Sequence, residues 1–399
     1  YNTGSKNWIY NNDYVDGNDA FRHSKWLSFM EKRLKLTKTL LKENGIIVVT
    51  IDDYEVATLT LLMNEIFGEE NYLGTIVIKN NPQGRSSVSG FQVSHEYALF
   101  YGKTLKARIG RLPRTQEQIN RYKESDVNGP FEWRNFRAQY STESPKMKYP
   151  IFVKKNCSGF RIPKLKWNPE KQSYDLLEKP DNSEIITSPV DPNGRERTWK
   201  WSIDTVESVK NAEMGVRLDK DKNPAVYYKG RMKDEWMLPY TIWDKSDYSA
   251  SALGANLLTS ILGSKKFDYP KSLYALIDSL LVATENKNAT VLDFFAGSGT
   301  TGHAVLELNK RDGGNRKFIL NTNNENNICE EVTYERLKRV MTGYKNKKGE
   351  KIEGLGGNLR YYKTDLVDIE KLHHTPDNAK IKLTYQAGEM IALRENTLN

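Results

Sequence analysis

The chain has 399 residues, 38% hydrophobic and 11% aromatic, enough for two or three domains of about 100–200 residues each and for a sizeable core. No apolar run approaches the roughly 18 residues of a membrane helix, and Cys157 and Cys329 stand far apart without histidines at ligand spacing. These features argue against a membrane span, a disulfide framework and a metal site, and they suit a reducing cytoplasm. A formal charge of +9 favours a polyanionic partner through counterion release, although charge alone is a weak guide because many lysines are merely solvated.

The opening stretch YNTGSKNWIY lacks the basic-then-apolar order of a signal peptide. Over residues 24–44, Leu27, Met30, Leu34 and Leu41 recur at three and four spacing, with Trp26, Phe29, Leu36 and Leu40 widening the stripe, which predicts a buried amphipathic helix stopped by Gly45. The β-branched run 46–51 reads as a strand ending at Asp52 and Asp53, and 54–67 as a second helix closed by Gly68. Strands follow at 73–78 and 97–101. Between them the Gly- and Ser-rich loop 80–90 is long enough to carry function.

From about 111 to 254 the texture changes to scattered Lys, Arg, Pro and aromatic residues, which predicts a separate irregular or β-rich domain. After Pro270 the α/β rhythm returns: helix 272–284, strand 290–295, helix 300–308, strand 318–321, helix 330–342, and a further strand at 359–362 after an exposed connection at 345–357. The expected division is 1–105, 106–254, 255–345 and a C-terminal extension 346–399.

The most informative segment is VLDFFAGSGTTGHAVLEL, which sets Gly297, Gly299 and Gly302 between a strand and a helix at GxGxxG spacing. A dinucleotide site would use all three glycines, but only 97 residues follow Gly302, too few for the second half of such a sheet. The remaining strands must precede the loop. A permuted, doubly wound sheet built from 1–105 and about 265–345, with the middle segment outside it, is therefore expected.

The run Asp293, Phe294, Phe295, Ala296, Gly297, Ser298, Gly299, Thr300, Thr301 resembles motif I of the DNA amino-methyltransferases, whose loop holds S-adenosylmethionine. The resemblance implies that Phe294 packs near the cofactor and that the backbone of 297–299 admits its methionine moiety. Tyr269, Pro270 and Lys271 are similar to the family's motif X, with Ser272 where a proline is common, and Glu325 is the implied ribose ligand although Asn321 to Asn324 separate it from the strand. His95, Glu96 and Tyr97 resemble motif VIII at the wall of the base pocket. Tyr1, Asn2, Thr3 and Gly4 match the continuation of Asp-Pro-Pro-Tyr in type III modification subunits, and HSKWLSFMEKRL, LLKENGIIVVTIDD, NEIFGEENY and HEYALFY follow in the same order.

The resemblance implies a Rossmann-like S-adenosylmethionine-dependent methyltransferase sheet, permuted and carrying a target-recognition domain at 106–254, that methylates the 6-amino group of adenine. It also implies that the chain opens inside the catalytic motif, with Tyr1 stacking on an extruded base, Asn2 beside it and the preceding Asp absent, so that the chain alone is inactive. Double-stranded DNA, a second Mod subunit and a restriction (Res) nuclease/helicase subunit are the implied partners. Cytosine as target, a DNA-recognition module without catalysis, and a nicotinamide-dependent enzyme built on the same glycines remain open at this point.

Overall fold

The computed structural model describes residues 22–84, 90–138 and 144–364. Helix α1 (Arg22–Leu40) buries Trp26, Met30 and Leu34 against Leu59, Met63 and Phe67 of α2 (Val56–Phe67) and against strand β1 (Ile46–Ile51). Leu36 and Leu40, expected to widen the buried stripe, are 61% and 62% exposed. Leu36 falls two residues after Leu34, which turns it about 200° round the helix, away from the core.

Strands β1, β2 (Tyr72–Ile78) and β3 (Glu96–Gly102) form one sheet, with β3 in the centre and antiparallel to both neighbours. Alternation sends Ile47, Val49 and Ile51 to the α1/α2 face, whereas Ile46 and Val48 join Ile76, Ile78 and Phe100 on the other. Ala275 and Val282 of the helix Leu273–Ala283 cover that second face. Helices on both faces give the α/β layering the sequence predicts, although the central strand runs against both neighbours.

The expected single sheet is not continuous. Strand Thr290–Asp293 pairs in parallel with Lys317–Leu320 as a separate two-stranded sheet, and among the described residues neither strand pairs with the first sheet. The ladder therefore breaks, and side chains join the halves instead. The helix Leu273–Ala283 turns Leu273, Ile277 and Leu280 onto Ala304, Val305 and Leu308 of the helix Thr300–Asp312, while its opposite side lies on the first sheet. Phe295 reaches the α1/α2 core, its ring 5.8 Å from Phe29.

The chain leaves this unit at Leu112–Pro113 and returns at Trp236–Met237, and these two segments pair antiparallel as a neck. Between them a sheet of Glu124–Asp126, Gly129–Asn135, Met214–Leu218 and Pro224–Arg231, two smaller sheets and the helix Ile203–Glu213 enclose a core of their own. Phe136 stacks on Trp199 there at 5.3 Å. The return comes earlier than residue 254: Ile242–Trp243 already pairs in parallel with β2, with Trp243 in the first sheet's core. At the far end, 359–362 is not a strand; a hairpin of Gly343–Lys345 and Lys351–Glu353 takes the place of the exposed connection. Among the described residues no helix is long and apolar enough to cross a membrane.

Candidate active site

The parallel pair Thr290–Asp293 and Lys317–Leu320 ends where the glycine loop begins, at the carboxyl edge where α/β sheets bind ligands. Asp293 shapes that loop. Its carboxylate accepts the Phe295 N–H at 3.0 Å and the Thr301 hydroxyl at 2.5 Å, bracing the turn across eight positions. Burial pushes its carboxyl above the usual range, while the two donors pull the other way. The Asn321 backbone donates to the Asp293 carbonyl and accepts from Ala296, tying the loop to the second strand's end.

Gly297 and Gly299 take φ of +49° and +74°, a left-handed region that side chains with a Cβ rarely adopt. The direction of the missing Cβ revises one expectation. At Gly299 it would point at Thr333 Cγ2, 3.1 Å away, and at Gly302 at Leu337 Cδ2, 2.8 Å away. Gly299 and Gly302 thus admit the helix behind the loop, and a side chain at Gly299 would strike protein rather than fill the ligand's space.

That helix begins as a π-helical stretch, Ile328–Tyr334, and continues as Glu335–Thr342. Thr333 donates to the Gly297 carbonyl at 2.5 Å, and Arg336, wholly buried, donates to the Ser298 carbonyl at 3.3 Å, the Ser298 hydroxyl at 3.2 Å and the Thr300 hydroxyl at 2.7 Å. Its other terminal nitrogen lies 3.2 Å from Nδ1 of His303. Arginine can only donate, so Nδ1 accepts and the imidazole proton sits on Nε2, facing Glu307 at 3.8 Å. Burial, with help from Arg336, lowers the His303 pKa from 6.5 to about 4. The unfolded chain therefore takes up this proton first as pH falls. Stability is full above about pH 6.5 and lost towards pH 4, by on the order of 2–3 kcal/mol. Thermal melts between pH 7 and 4 should show this limb, and His303→Gln, which keeps an acceptor for Arg336, should flatten it.

At the carboxyl end of β1, Tyr97 donates its hydroxyl to Asp53 at 2.9 Å, and His95 Nε2 lies 2.9 Å from the same hydroxyl. Because Tyr97 has spent its proton on Asp53, His95 must donate. Tyr97 pairs with both Ile51 and Val77 across the sheet, and like Phe295 it packs on the α1/α2 core. Glu96, buried, forms an ion pair with Lys271, 175 positions away. The π-helical stretch Ser251–Asn256 helps fix Lys271, for Gly254 lies flat against the Pro270 carbonyl, where a Cβ would collide. Two segments expected to serve different halves of the site are thus joined.

A DNA methylase family model, of the N6/N4 methyltransferase type, matches residues 1–335. The chain belongs to the DNA methylase family. The methylase is 33% identical over 371 residues to the type II methyltransferase M.KpnI of Klebsiella pneumoniae, covering 88% of this chain and 83% of that one. It is 30% identical over 356 residues to the type III EcoPI Mod subunit of Escherichia phage P1, and 30% over 380 to the StyLTI Mod subunit of Salmonella typhimurium, covering 80% and 85% of this chain. The chain spans about half the length of these Mod subunits, 52% in each case.

In the methylase, Tyr1 and Asn2 lie outside the described residues. Glu325 opens a short turn, Glu325–Asn327, beyond Asn321, and accepts from Asn323 at 3.1 Å. The ring of Phe294 lies 5.0 Å from that of Phe295. Sequence reasoning missed Asp53, Thr333, His303 and Arg336. The spacing of Thr333, Arg336 and Leu337, at i, i+3 and i+4, already placed them on one helical face.

The basic, aromatic insert of the methylase offers less open surface than its composition suggests. Arg161 pairs with Glu178 and Glu184, Arg231 with Asp126 and Glu213, Arg217 with Glu124 and Lys154 with Asp181. Phe136, Tyr149 and Trp199 are core. The Trp167 ring faces exposed Lys146 at 5.6 Å, and Lys164 and Lys166 just before it in the chain are exposed too.

The Lys271 and Glu96 pair yields a prediction for the methylase. Lys271→Met should destabilise it by about 1–3 kcal/mol, because Glu96 is left buried beside an uncharged chain. Lys271→Met with Glu96→Gln should recover much of that loss. A double-mutant cycle from urea unfolding measures the coupling, and additive losses would remove the pair as a link between the segments.

Proposed function

We propose that this methylase chain transfers the methyl group of S-adenosylmethionine to the 6-amino group of adenine in duplex DNA, as the modification component of a type III restriction system. The observation that carries the reading is the braced loop 293–301 at a parallel strand end, with Phe295 packed on the same core as Tyr97. The loop fits the cofactor: two left-handed glycines form it, and the carbonyls of Gly297 and Ser298 are held towards the helix behind them.

When bound, S-adenosylmethionine supplies a methyl group on a cationic sulfur. The chain's part is to hold and orient. The residues 297–299 give close backbone approach, Phe294 packs near the cofactor, Lys271 supports its methionine end, and Glu325 faces the ribose. An adenine amine is a poor nucleophile because its lone pair is conjugated with the ring. It needs a carboxylate and a carbonyl to accept its protons and aim it. Tyr1 stacks on the extruded base with Asn2 beside it, and His95, Glu96 and Tyr97 wall the pocket. The insert reads the duplex, with exposed Lys146, over the Trp167 ring, and exposed Lys164 and Lys166 as its phosphate contacts. A second Mod subunit and a Res nuclease/helicase subunit are the proposed partners, in the cytoplasm. The reading rests on similarity to the type III subunits together with the Tyr1 to Gly4 run. Its test is nucleoside analysis after transfer of a tritiated methyl group. 6-Methyladenine is expected, and 4-methylcytosine would overturn the choice of base.

A further inference from the structure

We infer that Arg336, with Thr333 one turn before it, is a positioning residue for S-adenosylmethionine, a clamp that fixes the glycine loop from beneath. The inference rests on the cofactor reading above and adds residues that reading does not contain.

Arg336 is fully buried, yet among the described residues its guanidinium forms no ion pair. Its acceptors are neutral: the Ser298 carbonyl, the hydroxyls of Ser298 and Thr300, and Nδ1 of His303. Its Nε meets no acceptor. Burial lowers its pKa to about 9, so it still carries its charge at neutral pH. The His303 ring stands between it and the Glu307 carboxylate. A buried cation without a carboxylate costs stability, and an apolar side chain of similar length would fill the space more cheaply.

What the guanidinium gains is control of the loop. Gly297 and Gly299 give the backbone between them wide conformational freedom. Arg336 holds the Ser298 carbonyl, Thr333 holds the Gly297 carbonyl, and the Ser298 and Thr300 hydroxyls, 3.1 Å apart, share one guanidinium nitrogen. Two successive carbonyls are thereby turned away from the ligand side. The loop meets its ligand already shaped, and binding need not supply the ordering entropy.

The test compares wild type with Arg336→Met, Arg336→Lys and Thr333→Val. Three readouts are used: amide hydrogen exchange of residues 297–300 without ligand, calorimetric titration with S-adenosylmethionine and with S-adenosylhomocysteine, and thermal melting. In Arg336→Met, exchange in the loop should rise and affinity should fall by roughly tenfold or more, while the melting midpoint changes little because an unpaired charge has been removed along with its bonds. Arg336→Lys should restore part of the affinity, and Thr333→Val should show a smaller loss of the same kind. Wild-type exchange and affinity in Arg336→Met would overturn the clamp. If that variant does not fold, wild-type values in both Arg336→Lys and Thr333→Val overturn it instead. A wild-type chain that binds neither ligand removes the cofactor reading, and the exchange measurement then still decides whether Arg336 orders the loop.

Discussion

Placing Asp-Pro-Pro ahead of Tyr1 is expected to raise methyl transfer to DNA at least about a thousandfold over the chain without those residues, and to leave the affinity for S-adenosylmethionine unchanged. The two properties separate because they rest on different residues. The loop, its Asp293 brace and its supporting helix are all described and closed on themselves. Aiming the amine is the work assigned to the added carboxylate and the carbonyl beside it. Equal rates of transfer with and without the added residues would assign the work of that carboxylate to another group.

Gly299→Val should reduce cofactor affinity by more than about a hundredfold and cost roughly 2–4 kcal/mol of stability. The cause lies in the backbone and the helix behind it. A β-branched residue at φ +74° is strained, and its Cβ would press on Thr333 at 3.1 Å, the side chain that holds the Gly297 carbonyl. Relief of either strain must move the loop. Gly299→Asn separates the two causes, since asparagine tolerates left-handed backbone better but still carries a Cβ. Calorimetry and urea unfolding on both variants measure the effect. Wild-type affinity in Gly299→Val would remove this loop from the cofactor site.

Much of the α/β unit could be read from the sequence because its elements are local and strongly patterned. α1, β1, α2 and the strand, loop and helix around Gly299 fall within a few residues of their expected bounds. Errors arose where an outcome depends on distant chain. No local pattern reveals that Thr290–Asp293 stands in a sheet apart from β1, or that Ile242–Trp243 joins β2. The site divides in the same way. The glycines announce the loop through spacing, but Arg336 lies 37 positions beyond Gly299, and an arginine on a helix otherwise reads as a surface residue. Lys271 was legible, while its pairing with Glu96 was not, because it needs both halves folded.

The neck of Leu112–Pro113 and Trp236–Met237 has a consequence for how such a chain can change. Departure and return are rungs of one short ladder, so the distance between the two attachment points is fixed by hydrogen bonds and not by the length of what hangs between them. The insert has its own core and its own internal ion pairs. It can therefore be lengthened, trimmed or replaced by an unrelated module while the sheet below keeps its register.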